Sequence, residues 1–454
     1  MSIHSDFYSK KIIRKRIEEF IGDAQYIVGY GRYLKDKDGV PFRSFERYEL
    51  DFILSKGLDV YRSVWDMNSV LAILDVEYFN LDYPGEVYLK PERVFGILED
   101  VYRVIMEEFS KYKITPLTTV TGQGYHFVFK ISKKNSSYKE LEKVGYVSPT
   151  LEERYKMIRG RKRRPVSRRE GRSFDGMGRI LEYFTHKVIK RLKDGGFKFP
   201  LQITDVAVGR GEVGREAISI DLSMYGDPIY MRDIRTPFSF HQKHKVDIWK
   251  VGRHVSEGVP VQIAIPRNNA SISKILKLRR NPEKAVKYAY FHKTEIPDFS
   301  EEFLNLISDY KNSSLYLFHK EFDSFSYKKK EDYERFDLRN LPSCLSYTIS
   351  FPNPNLLKPT NLQTITRVFM KLGWHPKEIA GFVAFKFENP EFNWHEDWRK
   401  YDPQTRANFY IRIFSSLIKC GIDGELDLNC ISHQEKGYCI RPWCGWNLAD
   451  FKIV

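Results

Sequence analysis

The amino-acid sequence predicts an α+β fold in two parts, a sheet-containing part over residues 1–295 and a smaller, mostly helical part over residues 341–454. In the first part, β-branched apolar runs alternate with segments of helical apolar spacing. In the second part, helical patterns follow one another, and all five cysteines lie beyond residue 343. Residues 296–340 are polar and rich in Tyr and Lys, so we interpret them as a connector.

The composition is typical of a globular protein that meets a polyanion. The 454 residues suffice for two or three domains with hydrophobic cores. A formal net charge of +15 suits a nucleic-acid partner. Because no apolar run approaches the ~20 residues of a membrane span and the first residues lack a signal-peptide core, we expect a cytoplasmic protein without a membrane partner.

The first elements follow from local apolar spacing. Residues 8–20 predict an amphipathic helix, and residues 26–34 predict a strand. Residues 44–54 predict a second helix, and residues 60–65 a short strand.

The next stretch, residues 71–80, runs from four apolar residues into Asp75 and Glu77. Side chains at i and i+2 of a strand point to the same face, so both carboxylates leave one face together. Burying two unpaired acids is costly, and a hard divalent cation such as Mg²⁺ or Mn²⁺ removes that cost. A metal site and an edge strand with solvated acids are both open on this segment alone.

A helix over residues 91–112 precedes a second segment of interest, residues 117–129. That segment predicts a strand, a turn with Gly122 and Gly124, and a second strand that carries His126. Glycines in such a turn let backbone N–H groups approach a phosphate closely. The alternative is an ordinary hairpin with a packed histidine.

Residues 159–172 hold eight basic residues in fourteen. Like charges at this density do not pack into a core, so the run is either a solvated loop or a contact to a nucleic-acid backbone. The candidate DNA-binding residues are Arg161, Lys162, Arg163, Arg164, Arg168 and Arg169. A helix is predicted after this run, over residues 180–194.

A third acid-bearing strand, residues 217–223, contains Asp221. After it, Arg235, Ser239, His241 and Lys243 alternate along a stretch that we predict to be extended. Cationic and hydroxyl donors at that spacing suit a triphosphate, and the alternative is a polar strand edge without a ligand. The last strand of this part is predicted at residues 261–266.

The C-terminal part predicts three helices: one that ends near Gly373, one over residues 376–385 and one over residues 403–417. A cysteine-bearing tail follows them. The spacing Cys430-x8-Cys439-x4-Cys444 is irregular for a zinc ribbon. Four thiolates gathered from distant loops bind Zn²⁺ or an iron–sulfur cluster, and His433 is a candidate replacement ligand for zinc. The alternative is a set of reduced core cysteines.

Three stretches, taken in order, resemble the three motifs of the archaeo-eukaryotic primase superfamily. They are Asp75-Val-Glu77, Thr121-Gly-Gln-Gly-Tyr-His126, and Asp221 followed by Ile234-Arg-Thr-Pro-Phe-Ser-Phe-His-Gln-Lys243. The last one is similar to the Arg-x-Pro-x-Ser-x-His-x-Lys segment of replicative primase small subunits. The resemblance covers roughly residues 20–270. Many small subunits carry a zinc knob between the second and third motifs, whereas this interval has no cysteine.

The resemblance implies a catalytic domain built on an RRM-like mixed sheet. By it, Asp75, Glu77 and Asp221 hold two divalent ions, Mg²⁺ or Mn²⁺. The residues implied to bind the incoming nucleotide are Thr121, Gly122, Gly124, His126, Arg235, Ser239, His241 and Lys243.

Residues 341–454 resemble the C-terminal domain of primase large subunits, with a Pro-x-Cys start, helices, and late cysteines near a Cys-Gly pair. That family binds a [4Fe–4S] cluster. The resemblance implies Cys344, Cys430, Cys439 and Cys444 as its ligands, with Zn²⁺ as the alternative metal and Cys420 as a spare thiol.

The two resemblances together predict a single-chain DNA-dependent primase–polymerase. It would make RNA or DNA primers on single-stranded DNA from NTPs or dNTPs. A fusion of this kind looks like those carried by archaeal plasmids. A replicative helicase is a candidate partner. One alternative is a repair or end-joining polymerase of the same superfamily, which needs a primer. The other is a non-catalytic RRM-like nucleic-acid-binding protein, which would present sheet aromatics for base stacking.

Overall fold

The structure is a computed structural model that describes residues 3–34, 41–157, 165–204, 215–228, 232–351, 353, 355–388 and 402–453. It confirms a mixed α+β fold with antiparallel and mixed sheets and a largely helical C-terminal region. Among the helices of these residues, none combines the length and the apolar character that crossing a membrane requires.

The strands of the described residues form three sheets. They are β1 Ile27–Tyr30, β2 Phe42–Phe45, β3 Asp59–Ser63, β4 Ser69–Asn80, β5 Leu117–Val120, β6 Gly124–Ser132, β7 Leu201–Ile203, β8 Glu216–Asp221, β9 Asp233–Arg235, β10 Phe240–His241, β11 Gln262–Ile263 and β12 Ile265–Pro266. The largest sheet has six strands in the order β12-β5-β6-β4-β8-β7, and within it only β7 and β8 pair in parallel. A four-stranded sheet has the order β2-β1-β3-β9, and β10 pairs with β11.

The described α-helices are α1 Ile3–Ser9, α2 Lys11–Ile21, α3 Leu50–Ser55, α4 Glu86–Leu89, α5 Pro91–Ser110, α6 Ser136–Val144, α7 Pro149–Met157, α8 Arg168–Asp194, α9 Lys243–Val246, α10 Ile248–Val251, α11 Arg253–Gly258, α12 Ile272–Leu278, α13 Pro282–Phe291, α14 Phe303–Lys311, α15 Ser314–Ser324, α16 Lys330–Glu334, α17 Ser343–Ser350, α18 Pro359–Lys371, α19 Pro376–Glu388, α20 Pro403–Lys419 and α21 Cys430–Glu435. Short 3-10 helices lie at Arg32–Leu34, Arg47–Glu49, Ser223–Tyr225, Leu338–Asn340 and Leu448–Phe451.

One face of the six-stranded sheet is covered by α5 and α8. Phe109 of α5 stacks on Phe184 of α8 at 4.0 Å between ring centroids and meets Phe129 of β6 at 5.6 Å. Phe129 pairs with Ala72 across β6 and β4, so the even-numbered residues of β4 face these helices. Asp75 and Glu77 therefore lie on the opposite face.

Tertiary pairing changes two of the predicted N-terminal elements. The helix predicted over residues 8–20 is divided at Lys10 into α1 and α2, although its apolar face is buried as expected. The helix predicted over residues 44–54 is wrong at its start, because Phe45 pairs with Ile27 across β2 and β1. Strand pairing outweighs the helical spacing at residues 44 and 45, whereas the 3-10 helix Arg47–Glu49 and α3 are helical.

The C-terminal helices confirm the predicted pattern, as α18, α19 and α20 each begin with a proline in the first turn. The segment 296–340 forms α14, α15 and α16, and it contributes Phe303, Tyr310 and Phe322 to the core. One continuous hydrophobic cluster runs from Phe7 to Phe451, so this segment is a packed layer as well as a connection.

Candidate functional site

The register of the six-stranded sheet brings the predicted acids together. Asp75 on β4 lies directly opposite Asp221 on β8, and on its other side it lies opposite His126 on β6. Residues that are directly opposite in antiparallel strands share a face, and Glu77 shares it because it follows Asp75 by two. Three carboxylates and one imidazole thus occupy one patch of the sheet, which we call the carboxylate patch.

The carboxylate patch is electrostatically strained. The pKa of Asp75 is well above its usual range because the group is buried and because Glu77 and Asp221 lie nearby. Arg232 and Lys243 oppose this shift, and Arg232 Nη1 donates to Asp221 Oδ2 at 2.5 Å. Among the described residues, Asp75 Oδ1 has no hydrogen-bond partner, although His126 Nε2 lies 3.4 Å away.

The donor set of the carboxylate patch fits a hard divalent cation. Carboxylate oxygens are the ligands that Mg²⁺ and Mn²⁺ prefer, and a cation would satisfy the unpartnered oxygen and relieve the repulsion. In the described part of the chain, no three or more His, Cys, Asp or Glu side chains stand close enough to form a complete site as they are placed. The strand register places the backbone of the acids, and their side-chain rotamers would have to adjust to a bound ion.

The two glycines of the second motif are required by close packing. A Cβ at Gly124 would lie 1.7 Å from the carbonyl oxygen of Val76, and one at Gly122 would lie 1.8 Å from His241 Nε2. The turn is closed by a hydrogen bond of 2.8 Å from Thr121 N–H to Gly124 O. The glycine turn is therefore pressed between β4 and the third motif, which places its backbone beside the acids.

The third motif is not the continuous extended stretch that the sequence predicts. A turn with Phe238 at φ 59° separates β9 from β10, and α9 begins at Lys243. Lys243 Nζ donates to Gln123 Oε1 of the glycine turn at 3.3 Å. His241 packs under Gly122, and burial, followed by Arg235, lowers its pKa well below the usual range.

Arg235 and Ser239 bond to the protein instead of facing the acids. The Arg235 guanidinium donates to Asp59 Oδ2 at 2.6 Å and also bonds the Phe240 carbonyl and the Tyr61 hydroxyl. The Ser239 hydroxyl accepts the Val60 N–H at 2.7 Å. In this arrangement both side chains hold the third motif against β3.

Sequence reasoning missed Arg232 and Asp59. Arg232 is the partner of Asp221, and Asp59 is the fully buried partner of Arg235. An acid inside the apolar run Leu58-Asp-Val60 was a signal, since buried carboxylates are normally paired. Nothing local identifies that partner, which lies 176 residues further on.

The basic run is described only at its end. Arg161, Lys162, Arg163 and Arg164 lie outside the described residues. Arg168 and Arg169 instead open α8, which begins well before the helix predicted at residues 180–194 because Ser167 and Glu170 form a capping box.

These two arginines are already paired within the protein. Arg168 Nε lies 3.6 Å from Glu152 Oε2, and Arg169 pairs with Glu142 and lies 5.1 Å from the Tyr138 ring centroid. More than half of each arginine side chain stays exposed, so both remain accessible to a phosphate.

Four of the five thiols converge at the start of α17. Burial, and then Cys439, Cys444 and Cys430, raise the pKa of Cys344 to about 12, which places these thiols within electrostatic reach of one another. Cys430 and Cys444 both donate to the carbonyl oxygen of Trp446, at 3.7 and 4.0 Å. Thiolate donors suit iron–sulfur clusters or Zn²⁺. As the described residues are placed, these thiols do not form a complete metal site, so the four ligands that the resemblance implies stay a prediction.

Cys420 and His433 are not among the thiols that act on Cys344, and each has its own surroundings. The pKa of Cys420 is raised by burial and by Glu182, so this thiol sits beside α8. His433 is buried on α21, and among the described residues its Nδ1 has no hydrogen-bond partner. The charged groups around His433 are Lys436, Asp427 and Arg367, so its role as a zinc ligand stays a prediction.

Comparisons of the chain with protein-family models, with curated proteins and with solved structures found no match.

Proposed function

We propose that this chain is a DNA-dependent primase–polymerase that joins nucleotides on a single-stranded DNA template by two-metal nucleotidyl transfer. The observation that carries the proposal is the register of β4, which sets Asp75, Glu77, Asp221 and His126 on one face of the sheet. The glycine turn and Lys243 border that face, so acids and phosphate-binding groups meet at one place.

The division of labour follows from the chemistry. Asp75, Glu77 and Asp221 would hold Mg²⁺ or Mn²⁺, which when bound activates the attacking 3′-hydroxyl and neutralises the leaving pyrophosphate. The glycine-turn N–H groups and Lys243 bind the triphosphate, and positioning with electrostatics supplies most of the catalysis. The pKa of His126 is lowered to about 3 by burial and then by Arg235, so His126 is a neutral hydrogen-bonding group at pH 7.

The carboxylate patch argues against a simple nucleic-acid-binding sheet. A face with three acids repels phosphates unless a cation intervenes, whereas an RRM-like binder offers aromatic rings to bases. The net charge of +15 supplies the affinity for a polyanionic template elsewhere on the surface.

The first test replaces the acids. Asp75→Ala with Glu77→Ala is expected to abolish synthesis on primed and unprimed single-stranded templates, with template affinity changed by no more than about threefold, because Lys and Arg supply it. The matched control, Glu92→Ala with Asp100→Ala, removes two exposed acids of α5 and should leave both unchanged. Retained synthesis in the first variant contradicts the proposal. If the unmodified protein extends a primer but does not start synthesis on an unprimed template, the repair-polymerase alternative is favoured.

The second test addresses the cysteines by metal analysis after anaerobic purification. We propose a [4Fe–4S] cluster, which predicts a brown protein with about four irons per chain and loss of that iron in Cys344→Ser. Cys420→Ser is the control and should keep the iron. A colourless protein with one zinc makes the tail a zinc module, and a metal-free protein contradicts a metal site here.

A further inference from the structure

A cavity of about 320 Å³ lies between α8 of the sheet-containing part and α19 and α20 of the C-terminal part. Its size falls in the range of small-molecule pockets, roughly 300–1,000 Å³. None of the carboxylate-patch residues or the cysteines lines it. Its wall is dominated by aromatic rings from several segments, including Tyr155, Phe174, Phe325 and Phe409.

Lys377 is the most unusual group in the cavity wall. It is 7% exposed, and its Nζ donates to Asn408 Oδ1 at 3.0 Å. The rings of Phe322, Tyr327 and Tyr146 lie 4.7, 5.0 and 5.7 Å from the ammonium. An ammonium carries three N–H donors, and among the described residues no carboxylate bonds to this one.

A second donor is also left over. Arg412 gives Nη1 to Asp175 at 2.9 Å and Nη2 to Glu182 at 3.5 Å, while its Nε is buried without a partner in the described residues. The acids of this region are satisfied by arginines, since Arg179 also binds Asp323 through two hydrogen bonds. The cavity thus offers spare donors and aromatic faces, while the Asn408 amide is already bonded to Lys377, Tyr327 and Gln404.

One wall residue connects the cavity to the catalytic strand. Tyr225 lines the cavity, and its hydroxyl accepts the Ile73 N–H at 2.8 Å and donates to Leu71 O at 3.0 Å. β4 pairs with β8 only from Asp75 onward, so Tyr225 takes the place of a strand partner just before the acid. A ligand that packs on Tyr225 is therefore one side chain away from the strand that carries Asp75.

We propose that this cavity binds a purine or pyrimidine nucleoside, as a second small-molecule site distinct from the carboxylate patch. The planar heteroaromatic ring stacks among the tyrosine and phenylalanine rings, as bases stack on aromatic side chains in nucleic-acid complexes. Ring nitrogens and carbonyl oxygens of the base accept the spare hydrogen bonds of Lys377. The inference does not depend on the proposed polymerase activity.

The test is calorimetric titration of the full chain with adenosine, guanosine, cytidine and uridine, each repeated with its 5′-monophosphate, in EDTA. The protein carries Asp75→Ala with Glu77→Ala, so that the carboxylate patch does not contribute. At least one nucleoside should bind, and Lys377→Met should weaken it at least tenfold. Lys386→Met is the matched control, because Lys386 lies on the same helix over the rings of Phe382 and Phe385 but outside the cavity.

Hydrogen exchange supplies a second readout, which locates the bound nucleoside. The Ile73 N–H donates to the Tyr225 hydroxyl, so a bound nucleoside should slow hydrogen exchange at the Ile73 amide. This slowing is expected in the Lys386→Met control and not in Lys377→Met. No binding by any nucleoside or monophosphate overturns the proposal. Binding that Lys377→Met leaves unchanged, or that Lys386→Met weakens equally, also overturns it. Thermal unfolding of both variants establishes that they are folded.

Discussion

Two buried acid clusters in this protein differ in their counter-ions. On the sheet, Asp75 has Glu77 and Asp221 as neighbours, and its pKa is raised well above the usual range by burial and by these acids. On α8, Glu182 is fully buried and Asp175 is half-buried, yet the pKa of Asp175 is lowered to about 2 and that of Glu182 lies further below its usual range. Burial alone would raise both values, so the partners decide the sign.

The α8 cluster is a structural joint. Arg179 and Arg412 surround Asp175, and the Ser416 hydroxyl donates to Glu182 at 2.6 Å. Arg412 and Ser416 belong to α20, so the joint fastens the C-terminal part to the sheet-containing part. The comparison teaches that the compensated acids join two parts of the fold, while the uncompensated acids are the ones that we propose bind a cation.

The largest expected effect comes from breaking the compensated cluster. Arg412→Ala leaves Asp175 and Glu182 with less compensation, and we expect a loss of about 3–5 kcal/mol in the free energy of unfolding. Denaturant titration measures it. The control, Arg103→Ala, removes one partner of the exposed Arg103–Asp100 pair and should cost less than about 1 kcal/mol. Equal effects would show that the α8 cluster does not act as a joint.

This prediction also bears on truncation. Removing residues 341–454 deletes Arg412 together with its helix and exposes the acids of α8, so loss of activity in such a truncation would report damage to the fold. Cysteine variants of the full chain separate the role of the proposed metal from the role of the joint.

An intermediate effect is expected from Mn²⁺. An ion bound only by the native state at a hundredfold excess over its dissociation constant stabilises by about 2.7 kcal/mol, and the melting temperature rises accordingly. Asp75→Asn with Glu77→Gln should abolish the rise measured by scanning calorimetry, while the Arg103→Ala control keeps it. A rise that survives in the first variant places the ion elsewhere.

The smallest effect concerns Asp75 without metal. Its folded-state pKa lies above the unfolded value, so the native state binds more protons in the window between the two, and stability falls as the pH rises through it. Asp75→Asn should therefore stabilise the metal-free protein at neutral pH by about 1 kcal/mol. Below both pKa values the difference should vanish, and unfolding curves at pH 3 and pH 7 check this. Destabilisation at pH 7 would mean that Asp75 is compensated.

Local pattern was sufficient for the elements of the candidate site. The apolar run before Asp75 predicted β4, and the glycines at 122 and 124 predicted the turn between β5 and β6. The alternation at 235–243 failed, because the turn at Phe238 and the buried pair of Arg235 with Asp59 redirect those side chains. A two-residue period says which side chains share a face only while the backbone stays extended.

Long-range partners also explain what the local pattern did not show. The start of the helix predicted at residues 44–54 pairs with β1 instead, and the segment that we interpret as a connector also buries aromatic rings in the core. Neither change is visible in a window of ten or twenty residues, since each depends on contacts with segments far along the chain.

The sequence by itself determined which residues make up the two candidate sites. The first has two acids at i and i+2 of a buried strand and a third acid on a later strand. The second has Cys344 and three cysteines near the end of the sequence, at positions 430, 439 and 444. Apolar periodicity and residue chemistry are local properties, so they can be read without a fold. The tertiary structure alone decided the register that sets Asp75 opposite Asp221, the pairing that holds Arg235, and the cavity around Lys377. Those outcomes depend on which distant surfaces meet, and burial then fixes whether each charge is compensated or left to bind a partner.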